Sequence, residues 1–345
     1  MREAGVAERM GQADPGSTTT AAEPGAGHAG ASPKRSLFGF GIALFSAIVF
    51  ATSGSFAKPL LEAGWTSGAA VGARMLGAAL VLLLPTLWVL RGKWHTVAPN
   101  WKPIVLFGVF GVAICQFSYF QAVQYLDVSV ALLLEYMAPI LIVLAVWAVT
   151  RRSPRLLTIL GAVTSVVGLV LVLDVSGAKG VEPLGVMWGL IAAVGLAVFF
   201  VVGAQQNDSL NPLVLTTGGL LVGSALIFGL GALGLLPMRA TFGTVSFSGF
   251  ETEWWVALAG LTIIAAVLAY LSGIFAARAL GATLASFIGL TEVIFAVTWA
   301  WLLLGEMPAA IQLLGGLCIV AGVILVRADE LRQARKLVRN AGAVV

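Results

Sequence analysis

Long apolar segments constrain this chain more than any other feature. Hydrophobic residues make up 59% of the sequence and charged residues only 10%, whereas soluble domains carry about 25% charged residues. The mean hydropathy of +0.99 indicates an integral membrane protein. Inside lipid, backbone groups must bond within the fold, which leaves helices or a closed barrel. The apolar runs lack the two-residue alternation of barrel strands, so the sequence predicts an all-α integral membrane protein.

Apolar segments of about 20 residues are long enough to cross the bilayer core as helices. We predict ten transmembrane helices, over 37–58, 67–90, 103–124, 128–150, 155–174, 183–205, 212–235, 254–279, 281–304 and 308–326. Residues 1–36 are rich in small and polar residues, which predicts a disordered cytoplasmic tail. Residues 328–345 are basic, which predicts a cytoplasmic C-terminal tail or short surface helix near anionic lipid.

Positive charges are distributed unevenly between the segments that join these helices. With the N-terminus inside, the outer segments hold only Lys58, Lys179 and Arg239. The inner segments then hold Arg2, Arg9, Lys34, Arg35, Arg91, Lys93, Lys102, Arg151, Arg152, Arg155, Arg278, Arg327, Arg332, Arg335, Lys336 and Arg339. This asymmetry predicts a multi-pass protein of the inner or plasma membrane with both termini cytoplasmic. It also explains the net charge of +4 without any nucleic-acid partner.

The sequence matches itself at a spacing of 154 residues, with 118–172 aligned to 272–326 without a gap. The aligned pairs include Trp147 and Trp301, Pro154 and Pro308, Gly161 and Gly315, and Gly168 and Gly322. Such a self-match indicates internal repeats, here 37–175 and 183–327 with five helices each. Because five is an odd number, the second repeat would start on the opposite side of the membrane. Inverted repeats of this kind are typical of secondary transporters, whose substrate site lies between them.

Three ionisable side chains lie inside predicted helices, where charge is costly and marks candidate functional groups. Arg74 and Glu135 each lie about 10 Å below the outer boundary, at 1.5 Å per helical residue. Equal depth and opposite charge predict an ion pair between them, of structural or functional purpose. Glu292 lies near the middle of its helix without an evident basic partner. It suits a proton-coupling group, a substrate ligand, or a neutral structural acid bonded to Ser286, Ser272 or Tyr270.

Two further features point to a cavity near Glu135. Pro139 removes the hydrogen bond to the Glu135 carbonyl and predicts a structural kink, and interrupted helices are found at transporter sites. Gln116 and Tyr119 share one face of the third helix. We predict that Gln116, Tyr119, Glu135 and Tyr136 bind substrate, and that Arg74 holds Glu135 or meets an anionic group. The alternative for the third helix is hydrogen bonding between helices.

No enzymatic motif accompanies these residues. The sequence contains no P-loop, no GxSxG and no HExxH pattern, and its two Cys and two His show no metal-ligand spacing. We therefore expect no catalytic residues, no cofactor and no metal. Without a nucleotide-binding motif, the energy for any transport would come from a gradient.

Three stretches of the chain, 50–75, 126–144 and 280–326, resemble the EamA family of the drug/metabolite transporter superfamily. The resemblance covers residues 37–327. It implies a ten-helix bundle of inverted repeats, cytoplasmic termini, a central substrate cavity, and export or exchange of amino acids, related metabolites or drugs. The family's Leu-Gly-Glu motif is present at 304–306, whereas residues 150–152 of the first repeat are Thr, Arg and Arg.

We therefore expect a secondary-active transporter that exports a small polar metabolite, an amino acid or related compound first, by alternating access. Proton coupling through Glu292 is one version, and an uncoupled facilitator of a metabolite or drug is another. A non-transporting membrane receptor or assembly subunit is the alternative from a different class. The expected partners are the small-molecule metabolite and membrane lipid, and the oligomeric state stays open.

Overall fold

The computed structural model describes residues 33–126, 128–151, 155–173, 182–205, 210–305 and 310–341. The first repeat contains α1 Pro33–Phe50, α2 Thr52–Glu62, α3 Ser67–Val89, α4 Trp101–Leu106, a π-helical segment Phe107–Ile114, α5 Cys115–Tyr125, α6 Val128–Glu135, α7 Ala138–Thr150 and α8 Leu156–Leu173. Two single 3₁₀ turns, Trp94–Thr96 and Ala98–Asn100, precede α4.

The second repeat contains α9 Pro183–Gly203, α10 Pro212–Ala232, β1 Thr244–Phe247, β2 Phe250–Glu253, α11 Trp254–Ala259, a second π-helical segment Gly260–Leu268, α12 Ala269–Leu280, α13 Ala282–Gly289, α14 Thr291–Leu304 and α15 Ala310–Ala341. Its irregularities fall at the same positions as those of the first repeat when the numbering is shifted by 154. The π-helical segments begin within one residue of each other, and α13 starts and ends where α6 does. The repeat seen in sequence therefore includes the departures from regular helix.

Within the described residues, seven helices are long and apolar enough to cross a membrane. They are Leu37–Glu62, Ser67–Val89, Trp94–Tyr125, Pro183–Gly203, Pro212–Ala232, Trp254–Leu280 and Ala282–Leu304. Three shorter apolar helices, Ala138–Val149, Leu156–Gly168 and Leu313–Gly322, lie where the other predicted spans fall. The fourth predicted span, 128–150, is shortened because it breaks into α6 and α7.

Small residues set how closely the helices pack. A Cβ added to Gly108 would lie 2.7 Å from the Gly219 carbonyl oxygen, and one added to Gly111 would lie 3.1 Å from the Phe199 Cα. Glycine at such positions lets two helix backbones approach. Large apolar side chains such as Leu84 and Val149 are instead exposed on the outside of the bundle. That distribution suits a protein whose surroundings are lipid.

The all-α prediction misses one small β-hairpin in the segment 236–253. Strands β1 and β2 pair antiparallel through a Ser-Gly turn in which Gly249 has φ +83°, a conformation that glycine adopts without a steric penalty. The Ser248 N–H donates to the Leu303 carbonyl at 2.8 Å, so the hairpin closes over the end of α14. The short alternating runs on either side of the Ser-Gly pair were the sequence signal for it.

The helical part of the chain extends further than predicted at both ends. Helix α1 begins at Pro33, inside the predicted tail 1–36, of which residues 1–32 lie outside the described residues. Helix α15 continues without interruption to Ala341, so the predicted boundary at 327/328 is not a helix end. No Gly or Pro occurs between 328 and 341 to stop the helix. Glu306, Pro154 and Pro308 also lie outside the described residues.

Candidate functional site

A cavity lies at the centre of the bundle and takes its lining from both repeats. The first repeat contributes Ser53, Cys115, Gln116, Tyr119, Glu135 and Tyr136. The second contributes Phe199, Phe200, Tyr270, Gly273, Gly289 and Glu292. The space open to the centres of water molecules is about 40 Å³, which is room for roughly three waters. In this conformation the cavity is therefore too narrow for a metabolite.

The predicted substrate residues Gln116, Tyr119, Glu135 and Tyr136 all line this cavity, as does Glu292. The structure thus brings together side chains that lie more than 170 residues apart in sequence. Arg74 does not line the cavity but lies directly behind its wall, where it is 1% exposed. No group of three His, Cys, Asp or Glu side chains in the described part of the chain is arranged to hold a metal ion.

The guanidinium of Arg74 is held by neutral acceptors. Its Nη1 donates to Ser53 Oγ at 2.8 Å and to Gln116 Oε1, and its Nη2 donates to the Ala265 carbonyl. Ala265 belongs to the second π-helical segment, so this last bond joins the two repeats. The Phe120 ring lies 5.9 Å from the guanidinium carbon, close enough for a cation–π contact.

The predicted ion pair between Arg74 and Glu135 is wrong, because the hydrogen bonds of the described residues give each group other partners. Glu135, the last residue of α6, accepts a hydrogen bond from Cys115 Sγ at 3.1 Å. Cys115 and Gln116 are neighbours at the start of α5, and one contacts Glu135 while the other contacts Arg74. The N-terminal turn of α5 thus contacts both groups. Residue counts predict that Arg74 and Glu135 lie at the same depth in the membrane, but they do not predict the direction in which each side chain points around its helix axis.

Glu292 lies in the first turn of α14 and is 8% exposed. It accepts a hydrogen bond from the Tyr136 hydroxyl, and this bond connects the interrupted helices of the two repeats. The partners predicted for a structural acid are wrong. Ser286 and Ser272 donate to backbone carbonyls of their own helices, at 2.8 and 2.6 Å, respectively. The Tyr270 hydroxyl has no hydrogen-bond partner among the described residues.

Each repeat contributes one interrupted helix to the cavity. In the first repeat α6 ends at Glu135 and α7 begins at Ala138, so Pro139 lies in the first turn of α7, where a missing N–H is tolerated. The Met137 N–H turns back to the Leu134 carbonyl at 3.1 Å. In the second repeat the Leu290 N–H makes the same kind of bond to Phe287 at 3.2 Å. In both interruptions the N–H therefore bonds to the carbonyl three residues earlier, as in a 3₁₀ turn.

Aromatic side chains form the part of the lining that the sequence reasoning missed. The rings of Phe50 and Phe199 lie 5.2 and 5.7 Å from the Tyr270 ring, respectively, in edge-to-face contact. In sequence, these phenylalanines were indistinguishable from core residues. Tyr270 could have been found, because the 154-residue shift places it on Gln116, and it places Gly273 on Tyr119 and Gly289 on Glu135.

A helical bundle of two related halves with a cavity of polar and aromatic residues between them is an arrangement typical of membrane transporters. The particular family follows from comparison: the chain belongs to the EamA-like transporter family, which matches residues 37–174 and 183–328. This confirms the resemblance seen in three stretches of the sequence.

Two relatives are also described as transporters, and one solved structure shares the fold. An uncharacterized inner membrane transporter, YicL, of Salmonella typhimurium is 27% identical over 85% of this chain and 96% of its own length. An uncharacterized transporter of Archaeoglobus fulgidus is 26% identical over 63% of this chain and 75% of its own. A crystal structure with 18% identity superposes with a TM-score of 0.64, covering 89% of this chain and 99% of the other. That last similarity establishes a shared fold.

Proposed function

We propose that this protein is a secondary-active transporter of the inner membrane that exports a small polar metabolite by alternating access. One observation carries the proposal: two buried carboxyl groups, Glu135 and Glu292, line one cavity between two related repeats. Buried ionisable groups inside a membrane are expensive and mark transport pathways. The ten-helix inverted arrangement with cytoplasmic termini, expected from sequence, is part of this proposal.

Alternating access requires the cavity to widen, since its present volume admits waters rather than a metabolite. Among the hydrogen bonds that join the repeats, two lie at the cavity or behind its wall and would change when one repeat rocks against the other. They are the hydrogen bond from Tyr136 to Glu292 and the one from Arg74 to the Ala265 carbonyl. The interruptions at 136–137 and 290 lie beside the first of these bonds and supply points at which each helix can bend.

Glu292 is the proton-coupling group in this proposal. Its hydrogen bond from Tyr136 crosses the interface of the repeats, so the acceptor loses its partner when the repeats separate. Once it has lost that donor, the carboxyl group can exchange a proton with water that enters the opened cavity. Proton uptake is thereby tied to the position of the repeats. An amino acid or related amine is the first substrate, because its ammonium group can bind a cavity carboxylate.

The test is efflux of metabolites from cells that overproduce the protein, with and without a collapsed proton gradient. Wild type is compared with Glu292→Gln and with the matched control Glu251→Gln, whose side chain is exposed on the hairpin. We expect an exported solute whose efflux stops in Glu292→Gln and on collapse of the gradient, and continues in Glu251→Gln. Export that is unaffected by Glu292→Gln and by collapse of the gradient would instead identify an uncoupled facilitator. The absence of any solute flux, with specific binding retained, would identify a non-transporting receptor.

A further inference from the structure

The cavity is charged on one side only. Its lining contains the carboxyl groups of Glu135 and Glu292, and no Lys, Arg or His from the described residues contributes to it. Arg74 lies behind the cavity wall, where its two terminal nitrogens bond to Ser53, Gln116 and the Ala265 carbonyl, while its Nε has no hydrogen-bond partner among the described residues. A carboxylate bound in the cavity would lie beside two carboxyl groups and would contact no basic side chain of the lining, which is unfavourable in a low-dielectric site.

The two carboxyl groups are not equally satisfied. Among the described residues, Glu292 receives the strong hydroxyl donor of Tyr136, whereas the donor to Glu135 is the thiol of Cys115 at 3.1 Å. A thiol is a weak hydrogen-bond donor. Glu135 therefore keeps most of its acceptor capacity directed at the cavity and is the better partner for an incoming ammonium group.

The Tyr270 hydroxyl is a second, independent sign of a ligand. It lines the cavity, its residue is 1% exposed, and it has no hydrogen-bond partner in the described part of the chain. Buried hydroxyl groups are nearly always hydrogen-bonded in folded proteins. A bound molecule with a polar hydrogen would supply the missing partner.

The remaining lining suits an apolar body attached to that polar group. Rings of Phe50, Phe199 and Tyr270 form an edge-to-face wall, and aromatic rings also attract organic cations. Gly273 keeps this wall in place: a Cβ there would lie 3.0 Å from the Phe199 ring and 3.1 Å from Ser46 Oγ. Any larger residue would displace the Phe199 ring or Ser46.

We infer that the site selects a small organic amine with an aromatic or apolar body and no carboxylate, and that Glu135 and the Tyr270 hydroxyl bind its ammonium group. This inference rests on the proposed transport function and narrows its substrate class. It favours an amine over the corresponding amino acid, because the described lining offers two carboxyl groups for an ammonium group and no basic side chain for a carboxylate.

The experiment uses pairs of solutes that differ only in the α-carboxylate: tyramine against tyrosine, and phenethylamine against phenylalanine. Binding to the purified full-length protein and flux into vesicles containing it are both measured. We expect each amine to bind at least tenfold more tightly than its amino acid. Glu135→Gln is expected to weaken amine binding more than tenfold and Tyr270→Phe several-fold. The matched control Tyr125→Phe, at an exposed tyrosine, should leave binding unchanged.

The outcomes separate this inference from the proposed function. Equal or tighter binding of the amino acids, or no binding of either member, overturns the amine site while export of another solute leaves the transporter proposal standing. Amine binding without flux of any solute supports the amine site and contradicts transport. Because Tyr270→Phe retains the ring that packs the wall, unchanged amine affinity in that folded variant also overturns the role given to the hydroxyl.

Discussion

A short turn separates α6 from α7 in the first repeat and α13 from α14 at the aligned position of the second. The residues around the two turns nevertheless differ in chemistry. Helix α6 ends at Glu135, and α13 ends at the aligned residue Gly289. The other carboxyl, Glu292, follows its interruption and aligns with Ala138 of the first repeat. Repetition therefore preserves the backbone, while divergence places one carboxyl before the turn and the other after it.

This difference explains how one hydrogen bond can join the repeats. Because position 289 is glycine, the Tyr136 ring fits against it: a Cβ there would lie 3.3 Å from the ring. The Tyr136 hydroxyl then reaches Glu292. If the second repeat also carried glutamate at position 289, which aligns with Glu135, a second acid would occupy that space. The two repeats therefore contribute different residues to the cavity.

Gly289→Glu makes the two interruptions alike and should have the largest effect. The new side chain meets the rings of Phe200 and Tyr136, since even a Cβ would lie 3.2 and 3.3 Å from them. We expect transport to fall below detection, measured as flux in vesicles with protein amount and monodispersity checked by gel filtration. Gly243→Glu is the control, because nothing lies within 4 Å of a Cβ at that position and it lies outside the apolar helices. Flux retained in Gly289→Glu would contradict the packing argument.

Arg74→Met should have the next largest effect, because it removes a bond between the repeats and leaves buried acceptors unpaired. Gln116 Oε1 and the Ala265 carbonyl would lose their donor, at about 1–3 kcal/mol for each unsatisfied group. We expect a clearly lower thermal unfolding midpoint in detergent, with a smaller decrease for Arg74→Lys. An unchanged midpoint for Arg74→Met would show that water or other groups replace the guanidinium.

The sequence predicted the bundle and most of the site for physical reasons. Hydropathy located the helices, and the cost of burying charge singled out Arg74, Glu135 and Glu292. The sequence could not predict the hydrogen-bond partners of those groups. Residue spacing determines how deep a side chain lies along a helix, but it does not determine how the helix is rotated about its axis. The same limit hid Phe199, whose apolar ring is equally suited to a core. The repeat does predict one further cavity residue, since the position aligned with Gln116 at a shift of 154 residues is Tyr270.

Tyr136→Phe tests the bond between the interruptions without changing their packing. The variant keeps the ring against Gly289 and removes only the hydroxyl that donates to Glu292. A lost hydrogen bond of this kind is worth about 1–2 kcal/mol, or about tenfold in a rate that depends on it. We expect gradient-driven transport to decrease by that factor, against no change in Tyr125→Phe. Equal rates in the two variants would remove Tyr136 from the coupling.

Pro139→Ala should have the smallest effect. The second repeat forms its interruption with Val293 at the aligned position, so proline is not required for this turn. We expect transport within about twofold of wild type and an unfolding midpoint lowered slightly at most, since the first turn of a helix tolerates either residue. A loss comparable to that of Tyr136→Phe would mean that the two interruptions are maintained by different forces.

The central claim is that solute passes through the cavity between the repeats, and Cys115 offers the most direct measurement of it. Replacing Cys318 by Ser leaves Cys115 as the single thiol, and it lines the cavity at 1% exposure. Vesicles with this protein are treated from either side with a membrane-impermeant thiol reagent. The account predicts that Cys115 reacts from both sides and that transported solute slows both reactions. Reaction from neither side, or from both at a rate indifferent to the solute, would contradict it.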